Sequence, residues 1–317
     1  MATIVLLGAG GKMGCRIADN LMRLDEYRMR YVEIGEPGLA RLRERGLEPT
    51  PLDEALTEAD AVILAVPDNR IGPIARVIVP KLKPGTVVIG LDPAAPYSGM
   101  LPDREDIAYF IAHPCHPPVF NDECDPEARR DYFGGVKARQ NIVCTLMQGR
   151  DEDYARGEAI ARAMFAPVMK AHRVTVEQMA ILEPVLVETT AATCITIIKE
   201  AMDEAIRRGV PAEAARDFLL GHINIELAIV FGEAGNPFSD GALKAIERAR
   251  SIIFRPDWKR VFEPEDLRES IALITRPAVD PEEATDLLVA ASPGRGGVPH
   301  VGAVRLFPDD GAGGIDP

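Results

Sequence analysis

The order of sequence patterns predicts an α/β chain, a doubly wound parallel sheet followed by an all-helical domain. Three observations carry that expectation. Short β-branched runs alternate with amphipathic stretches up to about Val174. A glycine cluster, Gly8-Ala9-Gly10-Gly11-Lys12-Met13-Gly14, directly follows the first of these runs. From Thr175 the pattern changes to an almost unbroken helical period. At 317 residues the chain exceeds what one core usually serves. We therefore divide it into a sheet domain at 1–174, a helical domain at 175–275 and a tail at 276–317.

The strand candidates are TIVLLG, MRYVEI, DAVILAV, TVVIGL, AYFIAHP and NIVCTL, and strands separated by helices pair in parallel. Met13, Ile17, Leu21 and Leu24 form one helical stripe, and Ile71, Ile74 and Ile78 form another after DAVILAV. Both stripes are expected to cover the sheet. Thr175 with Gln178 makes a capping box that opens a helix to Arg208, where Gly209 stops it. Pro184, inside that pattern, predicts a kink or a junction. Pro211 opens a further helix reaching Phe231, and FSDGALKAIERARSIIF and EPEDLRESIALIT supply two more. From Arg276 onward, SPGRGGVPH and PDDGAGGIDP have no periodicity and predict a loosely packed tail.

Acidic residues outnumber basic ones 49 to 36, the net charge is −13, and no run of Lys or Arg could track a phosphate backbone. A nucleic-acid partner is not expected. The five cysteines, at 15, 115, 124, 144 and 194, are scattered without a C-x-x-C spacing, which points to a reducing compartment. The apolar start TIVLLGAG lacks a basic flank and is too short to span a bilayer. The expected location is therefore the cytoplasm, with no membrane partner.

Glycines at 8, 11 and 14, as well as at 8 and 10, follow a strand and open a helix, the context that a Rossmann dinucleotide fingerprint requires. Glycine lets the backbone turn sharply and approach a pyrophosphate, whose charge then rests on the amides of the helix start. Gly8, Gly10, Gly11, Lys12, Met13 and Gly14 are thus candidate cofactor residues. Glu33 lies 19 residues beyond Gly14, placed to take both hydroxyls of the adenosine ribose and to repel the 2′-phosphate of NADP. NAD is the expected cofactor, with Glu36 as the alternative ribose contact. AVPDNRI leaves a strand at its carboxyl end, so Pro67 and Asp68 are expected on the nicotinamide side.

GxxGxMG, AVPDN, a strand ending in HP and the later KEAMDEA together resemble the β-hydroxyacid and 6-phosphogluconate dehydrogenase superfamily, with its relatives the prephenate dehydrogenases and ketol-acid reductoisomerases. The resemblance spans about residues 2–275 and implies a 6-phosphogluconate dehydrogenase-like helical second domain. HPCHPPVFND, ILEPVLVETTAA and RGVPAEAARDFLLGHI are most similar to members acting on branched sugar acids. That similarity implies NAD-dependent oxidation of a small hydroxy acid with a coupled skeletal rearrangement, ketol-acid reductoisomerase chemistry run backwards. Lys199 with Asp203 matches the superfamily's Lys-x-x-x-Asn, where the lysine polarises or deprotonates the substrate hydroxyl. Here aspartate replaces the asparagine, and a plain i, i+4 ion pair is the competing reading.

The helix after Thr175 is apolar on nearly every face between Met179 and Ile198, so burial is expected. A face this apolar exceeds what one small domain covers and predicts a homodimer or larger assembly. Glu183, Glu188 and Lys199 within it must then be paired, bound to metal or lining a cleft. Glu188 and Lys199 stand 11 residues apart, three α-helical turns, and are expected to share a face. In IAHPCHPP, His113 ends a strand at the carboxyl edge. In prephenate dehydrogenases a histidine in such an HP segment interacts with the substrate hydroxyl. His113 is therefore a general base or a ligand to a divalent ion such as Mg or Zn. Glu183 and Glu188 are the carboxylates to complete that site, and His116 is a second imidazole. Cys115 is read as a buried filler, and His172, His222 and His300 as structural. Three alternatives to the oxidising isomerase stay open: a plain hydroxyacid dehydrogenase, a prephenate-type oxidative decarboxylase and a dinucleotide-sensing regulator.

Overall fold

The computed structural model describes residues 1–276, so the expected tail, with His300, lies outside the described residues from 277 onward. The sheet region runs β1 (Ala2–Leu7), α1 (Lys12–Leu21), β2 (Tyr27–Val32), α2 (Glu36–Glu44), α3 (Leu52–Thr57), β3 (Ala61–Leu64), α4 (Asp68–Ile78), β4 (Val87–Gly90), α5 (Ala94–Tyr97), β5 (Ala108–Pro114), β6 (Gln140–Gln148), α6 (Asp151–Met164) and β7 (Val168–Arg173). The strands form one seven-stranded sheet in the order β2-β1-β3-β4-β5-β6-β7. The first five are parallel to one another.

Parallel strands covered on both faces need continuous apolar runs, and β3 and β4 are buried at every position. Alternation along β1 divides the core into two layers. Ile4 and Leu6 face α1 and α6 together with Ile17 and Leu21, while Val5 and Leu7 face α4 with Ile71, Ile74 and Ile78. Both predicted stripes therefore cover the sheet, one on each side.

The all-parallel expectation fails at β5 and β6, which pair antiparallel. Residues 115–139 between them hold only a 3₁₀ turn at Ala128–Arg130. A parallel return needs a crossover element, so the chain comes back beside its own strand. β7 was not expected at all: VMKAHR has no fully buried position and so carries no apolar run to detect.

The helical region is α7 (Val176–Ala180), a π-helical segment (Ile181–Ala192), α8 (Thr193–Arg207), α9 (Ala212–Val230), α10 (Asp240–Ile253) and α11 (Pro264–Thr275). The capping box forms as expected, with Thr175 Oγ1 accepting from the Gln178 amide at 3.1 Å and Gln178 Oε1 accepting from the Thr175 amide at 2.9 Å. At Pro184 the helix widens to i→i+5 winding instead of kinking. That change removes the clash a proline ring makes with the carbonyl four residues earlier.

α11 folds back on the sheet domain, where Leu267 and Ile271 pack with Ala94, Ala180 and Val185. Beyond Val185 the expected burial is not met among the described residues: α8, α9 and α10 bury no residue there. Ile195 is 66 % exposed, and Phe218 and Phe231 are each 70 % exposed. Among the described residues a single layer is present there, with nothing on its outer face.

α6 approaches β5 closely at Gly157, where a Cβ would fall 2.5 Å from the Phe110 ring. Phe110 is fully buried and edge-on to Tyr154, with centroids 5.5 Å apart. Gly157→Ala should therefore cost about 1–3 kcal/mol through overpacking, read as a lowered Tm with unchanged far-UV circular dichroism. An unaltered Tm would show that α6 is free to shift outward.

Candidate active site

Five strand ends deliver the site. Gly8 follows β1, Glu33 follows β2, Asp68 lies just past β3, Asp92 just past β4, and His113 is in the last turn of β5. All of them lie at the carboxyl edge of the parallel strands, around the β1/β3 switch point where such sheets hold ligands.

At Gly8 the backbone adopts φ 73° and its carbonyl accepts the Gly11 amide at 2.9 Å. A Cβ at Gly14 would overlap that same carbonyl oxygen, so glycine there lets α1 start against the loop. Gly8, Gly11, Glu33, Arg41, Pro67 and Arg70 line a cleft of about 340 Å³. Arg41 and Arg70 escaped the sequence reading, since nothing local distinguishes them from surface arginines. Of the remaining cofactor candidates, Gly10 and Gly14 pack behind the loop and Met13 packs on the sheet core. The Lys12 ammonium turns toward the Phe133 ring, 5.7 Å from its centroid.

Glu33 is held by three backbone amides. Oε1 accepts from Ile34 and Gly35, and Oε2 accepts from Gly10, each at 2.9 Å. Both lone pairs of Oε1 are thereby used, and one acceptor position remains on Oε2. The carboxylate thus has room for one further hydrogen bond where the sequence predicts two. Glu36 is exposed and paired with Arg43 at 2.7 Å, away from that position.

His113 Nδ1 lies 2.7 Å from the Leu91 carbonyl oxygen. A carbonyl only accepts, so Nδ1 carries a proton and Nε2 is the nitrogen turned to the cluster. Nε2 is 3.4 Å from Glu183 Oε2, with both side chains about four-fifths buried. Asp92, His113 and Glu183 each offer one ligand atom, all within 4.8 Å of one another. An imidazole and two carboxylates form a mixed nitrogen and oxygen donor set that suits a divalent ion and leaves coordination positions open. Asp92 was missed, although GLDPAAP offered the same signal that marked Asp68: an acidic residue just beyond a strand at this edge.

Burial, and then the neighbouring Asp92 charge, pushes Asp68 up to about 6. Burial, with Glu183 and Glu188 adding to it, pushes Asp92 up to about 6 against the opposing Ala94 amide and His113. Glu188, at the exposed rim, is raised by desolvation and then by Glu183 and Asp68. Four carboxylates around one imidazole repel one another until protons or a cation neutralise them.

The π-helical segment accounts for Glu188. In an α-helix residue i+5 lies about 140° around from residue i, which would turn Glu188 away from Glu183. Winding of the i→i+5 type returns it to nearly the same face. The Thr189 and Thr190 hydroxyls donate to the carbonyls five residues back, at Pro184 and Val185, at 2.6 and 2.8 Å.

Glu188 and Lys199 are separated chiefly along the helix axis. Lys199 lies 11 residues farther on, about 15 Å along the axis. Its ammonium meets both Asp203 oxygens at 2.6 Å on an exposed face. Within the chain Lys199 therefore forms the i, i+4 ion pair that is the competing reading of this motif. Among the other histidines, His172 lies on β7, and His222 stacks on Phe218 on α9, far along the chain from the cluster. Cys115 is exposed, contrary to the buried-filler reading, because the chain leaves the sheet at Pro114.

Residues 121–275 match the family described as phosphogluconate dehydrogenase (decarboxylating) C-term. D-apionate oxidoisomerase of Cupriavidus necator is 56 % identical over 86 % of this chain and 99 % of its own length. That of Rhizobium rhizogenes is 54 % identical over 87 % of this chain and its whole length. The chain belongs to the D-apionate oxidoisomerase family. A solved structure of a semialdehyde dehydrogenase NAD-binding protein from Cupriavidus necator, in complex with calcium and NAD, is 55 % identical. It superposes with a TM-score of 0.85 over 87 % of this chain and all of that one. An NADH-preferring ketol-acid reductoisomerase from an uncultured archaeon, 18 % identical over 92 % of this chain and 87 % of its own, gives 0.61 and shows the shared fold.

For this D-apionate oxidoisomerase family member the carboxylate crowd fixes a pH dependence. Asp68 and Asp92 titrate near 6 in the folded chain, against about 3.9 when unfolded. Between those values the folded state holds protons that the unfolded state has released, so their contribution to stability falls as pH rises through that window. Chelator-treated protein should lose Tm from about pH 4 to 6 by this route, and Asp92→Asn should reduce the loss. Added Mg²⁺ or Zn²⁺ should bind more tightly at pH 7 than at pH 5, because the ligands must first lose those protons. Calorimetric affinities equal at the two pH values would contradict the assignment.

Proposed function

We propose that this chain is an NAD-dependent oxidoreductase that oxidises D-apionate and rearranges its carbon skeleton to 3-oxo-isoapionate. The observation that carries the reading is the juxtaposition of the Asp92, His113 and Glu183 donor set with the glycine-loop cleft at one sheet edge. The match of family relatives over 86 % of this chain and the NAD and calcium of the Cupriavidus structure support it.

Gly8, Gly11 and Glu33 would hold NAD, with Pro67 and Asp68 between its cleft and the cluster. NAD, when bound, supplies the hydride acceptor. Asp92, His113 and Glu183 would hold a divalent ion, which makes an adjacent carbonyl more electrophilic and a hydroxyl more acidic. His113 cannot be ligand and base at once, because its only lone pair is on Nε2. Glu188, raised and at the rim, is the carboxylate that accepts the substrate hydroxyl proton and returns it. This chemistry suits alkyl migration between adjacent oxygenated carbons, whereas simple hydride transfer can run on a general base alone.

Residues 175–275 are assigned to substrate binding and to homodimerisation. The span Val176–Arg207 is long and apolar enough by composition to cross a membrane, but Glu183 in its first half meets His113 of the sheet. A second copy of the chain therefore fits the uncovered faces of α8, α9 and α10. Light scattering at micromolar concentration should give a dimer or larger, and a stable monomer would refute it.

Incubation with NAD and D-apionate should yield NADH, with a rearranged skeleton by carbon NMR. His113→Ala and exhaustive chelation should each abolish turnover by 10²-fold or more while NAD affinity stays within about twofold, a range expected for loss of one transition-state device. Full activity in metal-free protein would return His113 to the role of a base and favour the plain dehydrogenase.

NAD should be preferred over NADP because Glu33 opposes the 2′-phosphate. With only one acceptor position free, Glu33→Gln should cost about 0.5–1.5 kcal/mol in NAD affinity. Equal kcat/KM for the two cofactors in the unaltered enzyme would overturn that assignment.

A further inference from the structure

The excursion between β5 and β6 places a second imidazole beside the cluster. Among the described residues His116 is the one non-glycine with positive φ, at 59°. It also precedes Pro117, whose ring disfavours helical backbone at the residue before it. Such a conformation persists only where the surroundings over-determine it, and it gathers at functional sites.

The surroundings are specific. His116 Nδ1 donates to the Phe133 carbonyl at 2.9 Å. Its ring meets the Phe133 ring edge to face at 5.9 Å and the His113 ring at 6.2 Å. Phe133 is itself held by α1, with the Arg16 guanidinium 4.8 Å and the Lys12 ammonium 5.7 Å from its centroid. Arg16 also donates to the Gly134 carbonyl at 2.9 Å, and Asn20 to the Gly135 carbonyl at 3.0 Å. The loop is thus strapped to the helix that opens the cofactor site, and His116 is fixed between the strap and His113.

We propose that His116 is a substrate-recognising residue whose Nε2 accepts a hydrogen bond from a hydroxymethyl group of the sugar acid. With Nδ1–H committed to a carbonyl, a neutral His116 has only the Nε2 lone pair to offer. The other polar groups of the cluster, Asp68, Asp92, Glu183 and Glu188, are carboxylates suited to a cation and to the oxygens that react on it. An uncharged acceptor reads a further hydroxyl without adding to their mutual repulsion. A site that bonds a substrate hydroxyl discriminates strongly against the analogue lacking it. His116 would then separate D-apionate from 2,3-dihydroxy-3-methylbutanoate, which has the same skeleton with methyls in place of hydroxymethyls.

This rests on D-apionate being the substrate, so turnover of D-apionate by the unaltered enzyme is measured first, and its absence would remove that reading along with this one. His116→Gly and His116→Asn both tolerate the left-handed backbone, and Tm confirms that each is folded. Each variant should lose tenfold or more in kcat/KM for D-apionate, with NAD affinity unchanged. Inhibition by 2,3-dihydroxy-3-methylbutanoate should stay within about twofold of the unaltered enzyme, including no inhibition in either. D-apionate turnover within twofold of the unaltered enzyme, or equal losses for both acids, would overturn the role of His116 and leave the proposed activity standing.

Discussion

The i→i+5 winding of Ile181–Ala192 is the constraint on which the site and the relation of the two regions both rest. It turns Glu188 toward the face of Glu183, the helical-region carboxylate that meets His113 from the sheet. It also turns Val185 into the small core shared with α11 and α5. A helix of ordinary pitch would satisfy one of these demands and swing the other residue toward solvent. Pro184 and the hydroxyls of Thr189 and Thr190 make the wider pitch locally acceptable, since proline offers no amide and the hydroxyls supply donors to carbonyls.

The two ends of the sheet edge have opposite electrostatic character, and the separation is chemically useful. At the glycine loop, backbone amides and the start of α1 favour an anion, with Glu33 tied down by three amides so that one acceptor position remains. At β4 and β5, buried carboxylates gather around an imidazole whose tautomer is set by the Leu91 carbonyl. The first arrangement suits a dinucleotide and the second a cation with a hydroxy acid. A single fold brings them together because parallel strands all release their chains at the same edge.

α8 continues the site helix without a break, so whatever covers its apolar side bears on the same rod that carries Glu183 and Glu188. Ile195, Phe218 and Phe231 are left uncovered by the described residues. Assembly and site geometry are for this reason physically linked through one element.

Much was legible in the sequence because it depends on residues close in the chain. The glycine loop, the capping box at Thr175 and the two apolar stripes follow from local sterics, local hydrogen bonds and helical period. His113 and Glu33 stand at or just past strand ends that are legible in the sequence, and parallel strands place such ends together. Tertiary structure decided the rest. Asp92 joins His113 only because β4 and β5 are neighbours, and β6 runs antiparallel because no helix forms in residues 115–139. The helical pitch at Pro184 brings Glu188 round toward Glu183, a phase that α-helical counting does not give. Periodicity reports which side of an element is apolar; which distant side chains meet depends on pitch, strand order and the layer available to cover them.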